Sequence, residues 1–128
     1  MVKIKRHTLA SGTEIDIGRS AETNDELVRT AKRNETLIHT VAPGSPFVNV
    51  GENPSKLDLN LSGAACVVYS QDWRDNHKDT NINVFRKGDM NKSKKMNAGS
   101  WEVKKQERRK IKKVDILKAE KELKNETN

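Results

Sequence analysis

The sequence predicts an α+β fold: a small mixed or antiparallel sheet with about three helices, in a single domain. Three observations carry this reading. Short stretches of period-two alternation recur along the chain, separated by turn residues. The helical patterns are clustered rather than placed between successive strands, so a doubly wound α/β sheet does not fit. The most apolar run, Ser62 to Ser70, is rich in small residues and reads as a helix buried under a sheet. A length of 128 residues suits one core, and 33% hydrophobic against 34% charged residues keeps that core lean.

At the N-terminus, Val2 and Ile4 alternate with Lys3 and Lys5, Ser11-Gly12 signals a turn, and Glu14 to Ile17 alternates again. This is a β-hairpin, ended by Gly18. Ser20 or Thr23 then caps a short helix whose apolar face is Leu27, Val28 and Ala31; its acidic residues come early and Arg29, Lys32 and Arg33 late, as the helix dipole favours. Thr36 to Val41 and Phe47 to Val50 read as strands on either side of the turn Pro43-Gly44-Ser45-Pro46. The 62–70 helix follows, with Val67-Val68-Tyr69 equally readable as strand. Gln71 to Thr80 is polar apart from Trp73 and reads as a loop or frayed helix end, with Trp73 as an exposed ring. Ile82, Val84 and Phe85 mark the next strand, 86–97 a basic loop, and Trp101 to Val103 an alternating piece in which Trp101 is either core or exposed. Arg109 to Val114 is a further strand candidate, and Asp115 a cap for a last helix through Leu117, Ala119 and Leu123. Residues 1–114 are expected as the folded domain, and 115–128 as a C-terminal helix with a disordered tail.

Charge is the most uneven property of the chain. Residues 1–85 carry 10 basic and 11 acidic residues, 86–113 carry 12 and 3, and 114–128 carry 3 and 4, so the net +7 resides in one central stretch. Such a stretch is either a solvated face or a docking surface for a polyanion. Several chemistries lack their residues. One cysteine, Cys66, makes no internal disulfide and sits in an apolar run as a core residue; the three histidines have no zinc spacing, so no metal is expected. Asp72, Asp75 and Asp79 beside His77 read as solvated side chains rather than a metal cluster. No phosphate loop, dinucleotide fingerprint or nucleophile elbow is present, and the expectation is a non-enzyme without cofactors. No apolar run approaches the length of roughly 20 residues that spans a membrane, and the opening residues lack a signal peptide's apolar stretch, so no membrane contact and a cytoplasmic location are expected.

The motifs, taken in order, resemble the NFACT RNA-binding domain family. The matching pieces are Ile17-Gly18-Arg19 with Asn24-Asp25, Glu35 to His39, Pro43-Gly44-Ser45, Gly63-Ala64-Ala65 through Tyr69-Ser70, Val84-Phe85, Lys92 to Lys95, and Gly99 to Val103. Leu37 stands where the family has tryptophan, and Pro46 where it has histidine. The resemblance implies a stand-alone module related to ribosome-associated quality control. It implies binding of structured RNA, tRNA or rRNA, on the large ribosomal subunit, with DNA as a further polyanion. Arg19 and His39 are then site residues at strand ends, with Arg19 alternatively pairing with Asp16 or Glu22. Trp73 is a stacking ring, and Lys92, Lys94, Lys95, Lys104, Lys105, Arg108, Arg109, Lys112 and Lys113 form one phosphate-binding ridge. The alternative is a protein-interaction adaptor that docks its basic face on an acidic partner.

Overall fold

The computed structural model of the protein describes residues 4–91 and 102–126. Val2, the basic residues Lys92, Lys94 and Lys95, Gly99, Trp101 and the last two residues lie outside them.

Strands β1 (Lys5–Thr8) and β2 (Glu14–Gly18) form the expected hairpin, closed by the Gly12 N–H donating to Leu9 O with Gly12 at φ +93°, where a side chain would be strained. Helix α1 (Ala21–Thr30) starts at Ser20 with a reciprocal cap: the Thr23 N–H donates to Ser20 Oγ and the Ser20 N–H to Thr23 Oγ1. Strands β3 (Glu35–Thr40) and β4 (Phe47–Glu52) follow, then α2 (Lys56–Val68), so the Val67–Tyr69 ambiguity resolves to helix. Next come α3 (Gln71–Asn76), β5 (Thr80–Arg86), a single 3-10 turn (Lys87–Asp89), β6 (Met90–Asn91), β7 (Glu102–Val103), β8 (Glu107–Ile111) and α4 (Lys113–Glu126).

The main sheet has six strands in the order β1-β2-β4-β3-β5-β8, every neighbouring pair antiparallel. The fold is thus a small α+β domain. Period two sorts its side chains. Ile15, Ile17, Ile38, Val48, Val50, Ile82, Val84 and Ile111 face α2 and α4 in the larger core. Gly63 makes that approach possible, because a Cβ there would stand 2.6 Å from Ile82 Cδ1. Leu37, Phe47 and Phe85 face α1 in a smaller core with Leu27, Val28 and Met90. Helix α4 adds Ile116, Ala119 and Leu123 to the larger core, and its first N–H donates to Asp79 Oδ1 at 2.8 Å.

Two sequence expectations are corrected here. The polar segment after Ser70 is a helix, α3, because the Ser70 hydroxyl accepts the Trp73 N–H at 3.2 Å and caps it. Trp73 is not an exposed ring. It is 1% exposed, and its indole N–H donates to Glu120 on α4 at 3.0 Å. No helix among the described residues is long and apolar enough to cross a membrane.

Candidate functional site

One rim of the sheet gathers the ends of several elements: Gly18 of β2, Phe47 of β4, Thr40 of β3 and the start of β5. Its chemistry begins with a close approach. A Cβ at Gly18 would meet Asn24 Oδ1 at 2.6 Å, so only glycine admits the Asn24 side chain. Asn24 Oδ1 in turn accepts the Phe47 N–H at 2.9 Å and fixes where β4 starts. The loop 41–46 that leads into β4 is held from several sides. The Thr40 N–H donates to Ser45 Oγ, Ser45 Oγ to Pro46 O, Thr40 Oγ1 to Ala42 O, and the Gln71 N–H to Gly44 O. The Cys66 thiol donates to Pro46 O at 3.4 Å from below. Burial pushes that thiol up to about 12, so Cys66 stays protonated and is not a nucleophile.

Between this loop, α1 and β7 lies an open cavity of about 450 Å³. Phe47 and Phe85 contribute its aromatic surface, their rings edge to face at 6.2 Å. His39 lines it, half-buried, with its ring 4.7 Å from Phe47. Its Nδ1 lies 2.7 Å from Thr40 O, an acceptor only, so Nδ1 carries the proton and Nε2 is bare in the neutral ring. Burial lowers the His39 pKa below its ordinary value, against an opposing pull from the Thr40 carbonyl. Asn83 on β5 is the cross-strand neighbour of His39 and also lines the cavity.

The sequence-predicted residues divide. Arg19 is exposed at this rim, but its guanidinium lies 5.1 Å from the centre of the Tyr69 ring rather than pairing with Asp16 or Glu22. It does not line the cavity with His39. Lys104 and Lys105 are exposed between β7 and β8, and Lys112 and Lys113 are exposed where β8 passes into α4. On β8 the alternation splits the rest. Arg109 faces the larger core beside Ile82 and pairs with Glu107 at 3.3 Å, whereas Arg108 lies beside Asn83 on the opposite face. The expected single-faced ridge is therefore corrected: strand geometry distributes its arginines over both faces, and β7 pairs with β6 rather than with β8. Asn83 and Gln106 were not anticipated at the cavity. An asparagine inside an alternating strand, against β-propensity, was the available signal.

No family model and no curated protein matches the chain, so the resemblance drawn from its motifs is carried by no family model. The fold is similar to a solved structure, the C-terminal part of the fibronectin/fibrinogen-binding protein from Streptococcus suis. The TM-score is 0.79 at 18% identity, over 91% of this chain and 48% of that one. The chain thus spans about half the length of that structure, and the likeness is one of fold. The neighbour is named for binding two proteins. With the ridge divided, the expectation of an RNA-binding module for tRNA or rRNA in ribosome-associated quality control, with the large subunit or DNA as partner, is corrected: neither the neighbour nor the described surface supports it.

Proposed function

We propose that the chain is a protein-interaction module whose edge strand β8 docks an acidic, extended segment of a partner protein. One observation carries the reading. β8 ends the sheet, no described strand pairs with its outer side, and seven of the ten residues 104–113 are Lys or Arg against one acidic residue. A guest strand added to this edge would present side chains to both faces, as the host strand does. Basic residues on both faces then complement acidic side chains of the guest on whichever face they fall. The same charges repel a second copy of the edge, so an oppositely charged strand is the matched occupant. The fold neighbour, named for binding fibronectin and fibrinogen, supports a protein as the class of partner. A cytoplasmic setting belongs to this reading, since the buried, protonated Cys66 needs no oxidising compartment.

The test is amide exchange of the full chain with an acetylated peptide of alternating Val and Glu. Added protection is expected along β8, weakening with salt. Charge reversal at both Arg108→Glu and Lys110→Glu is expected to cut affinity about tenfold or more. Equal binding of an alternating Val-Lys peptide, or protection anywhere but β8, would count against the reading.

A further inference from the structure

The cavity beside α1 has an unusual combination of walls. Ala21, Val41, Pro43, Phe47, Phe85 and Val103 form about half of its wall, and its described polar members are all uncharged at neutral pH. Among the described residues, no Asp, Glu, Lys or Arg lines it. The described charges on surrounding elements, Arg19 before α1, Glu22, Asp25, Glu26 and Arg29 on α1, Arg86 on β5, Glu102 on β7, Lys104 and Lys105 after it, and Glu107 to Lys110 on β8, do not line it. An ion entering this space would lose water and find no counter-charge, so the cavity selects for a neutral guest. Two polar groups await a partner. His39 Nε2 is an acceptor, its ring fixed through Nδ1, and the Asn83 amide makes no hydrogen bond to a described residue. The two residues are direct cross-strand partners, which places their Cβ atoms about 5 Å apart. A hydroxyl donates to one and accepts from the other through a single atom. The aromatic surface beneath asks for that hydroxyl on a ring.

We propose that this cavity binds a phenol, the side chain of tyrosine or a small molecule of the same chemistry. The hydroxyl donates to His39 Nε2 and accepts from Asn83 Nδ2, while the ring lies against Phe47 and Phe85. The walls are fixed in advance by Gly18, Asn24 and the hydrogen bonds of loop 41–46, so little ordering accompanies entry. The site lies on the inner side of β8, whose Arg108 is the cross-strand neighbour of Asn83, and does not rest on the docking proposed at its outer edge.

The experiment is an NMR titration of the full chain with N-acetyltyrosinamide and N-acetylphenylalaninamide. Saturable shifts are expected at His39, Asn83 and Phe85, with the tyrosine compound binding about tenfold tighter. Asn83→Ala removes no hydrogen bond made within the fold, and is expected to erase most of that preference while leaving the phenylalanine compound unaffected. Acidification is expected to weaken only the tyrosine compound, as protonation of His39 removes its acceptor. Equal affinity for the two compounds, or no saturable shift at these residues, overturns the proposal. A tyrosine placed within the Val-Glu peptide separates the sources. Tighter binding of the peptide that Lys112→Glu reduces points to a partner's tyrosine, and N-acetyltyrosinamide binding as tightly as the peptide points to a free phenol. Lys112, exposed beyond the end of β8, does not line the cavity, and Lys112→Glu is expected to leave N-acetyltyrosinamide binding unchanged, so the cavity and the edge fail independently.

Discussion

On one face of the sheet, α2, α3 and α4 cover Ile15, Ile17, Ile38, Val48, Ile82 and Ile111, each nearly inaccessible. On the other, the ten-residue α1 and the β6–β7 pair cover Leu37, Phe47 and Phe85 but stop short of His39 and Asn83, which remain half-buried at the mouth of the cavity. The closed face is assembled from small and branched residues that let helix and sheet meet closely, Gly63, Ala64 and Ala65 above all. The open face is assembled from side chain to backbone hydrogen bonds that fix a loop and a strand end. The difference separates two kinds of work: packing gives the domain its stability, and positioned polar groups give it a place to bind.

The largest effect expected from breaking this contrast is on the closed face. Trp73 is the largest of the fully buried side chains and joins α3 to α4 through Glu120. Trp73→Ala would open a cavity there and leave Glu120 without its donor, at a cost of about 3–5 kcal/mol. Urea unfolding monitored by far-UV circular dichroism measures it. A loss under about 1 kcal/mol would mean that α4 does not depend on this contact.

A smaller effect belongs to the seam between the faces. Asn24→Ala would leave the Phe47 N–H buried with no acceptor, costing about 1–3 kcal/mol. The start of β4 should loosen with it, so amide exchange should speed up at Phe47 and in loop 41–46 before it does at Ile38 or Val48. Uniform acceleration across both faces would contradict the idea that Asn24 serves the rim in particular.

How far these regions could be read from the chain follows the same division. β2, α1, β3 and β4 showed through because their apolar residues recur at a fixed period and because Gly12, Ser20 and Pro43-Gly44 punctuate them, whereas β1 is the polar Lys5–Thr8 rather than the alternation at Val2 and Ile4. Helix α3 did not, since six residues with one apolar side chain have no period, and Ser70 as its cap is meaningful only once the helix exists. Trp73 looked exposed for the same reason: its partner Glu120 is 47 residues away. The basic stretch was misread as one ridge because strand alternation sends neighbouring residues to opposite faces wherever the strand begins: in the observed span Glu107–Ile111, with Ile111 in the core, Arg109 shares the core face and Arg108 and Lys110 take the other. At the cavity, His39, Ser45 and Asn24 all stood in segments marked by their motifs. That they meet Asn83 and Gln106 depends on strand order, which puts β3 beside β5, and no local pattern states that order.

The smallest effect is a pH dependence, and it discriminates between the faces cleanly. The closed face holds Cys66, whose thiol titrates only near about 12 and is silent at neutral pH. The open face holds His39, whose pKa burial lowers. An unfolded histidine takes up its proton near pH 6.5, roughly its ordinary value, while the folded one resists until the pH is lower. Between those two points the unfolded chain binds more protons than the folded chain, and stability therefore rises with pH there. The contribution is complete above about pH 6.5, declines as the pH falls below it, and levels off once folded His39 is itself protonated. The chain has three histidines, so the native chain alone does not isolate His39. His39→Gln does, because it removes the titration while keeping a polar side chain at the cavity. As the pH falls below about 6.5 the native chain should lose more stability in urea than His39→Gln does, and the two curves should run parallel once folded His39 is itself protonated. Curves parallel throughout would mean that His39 is solvated in the folded chain, and that the open face reaches further toward β3 than its walls indicate.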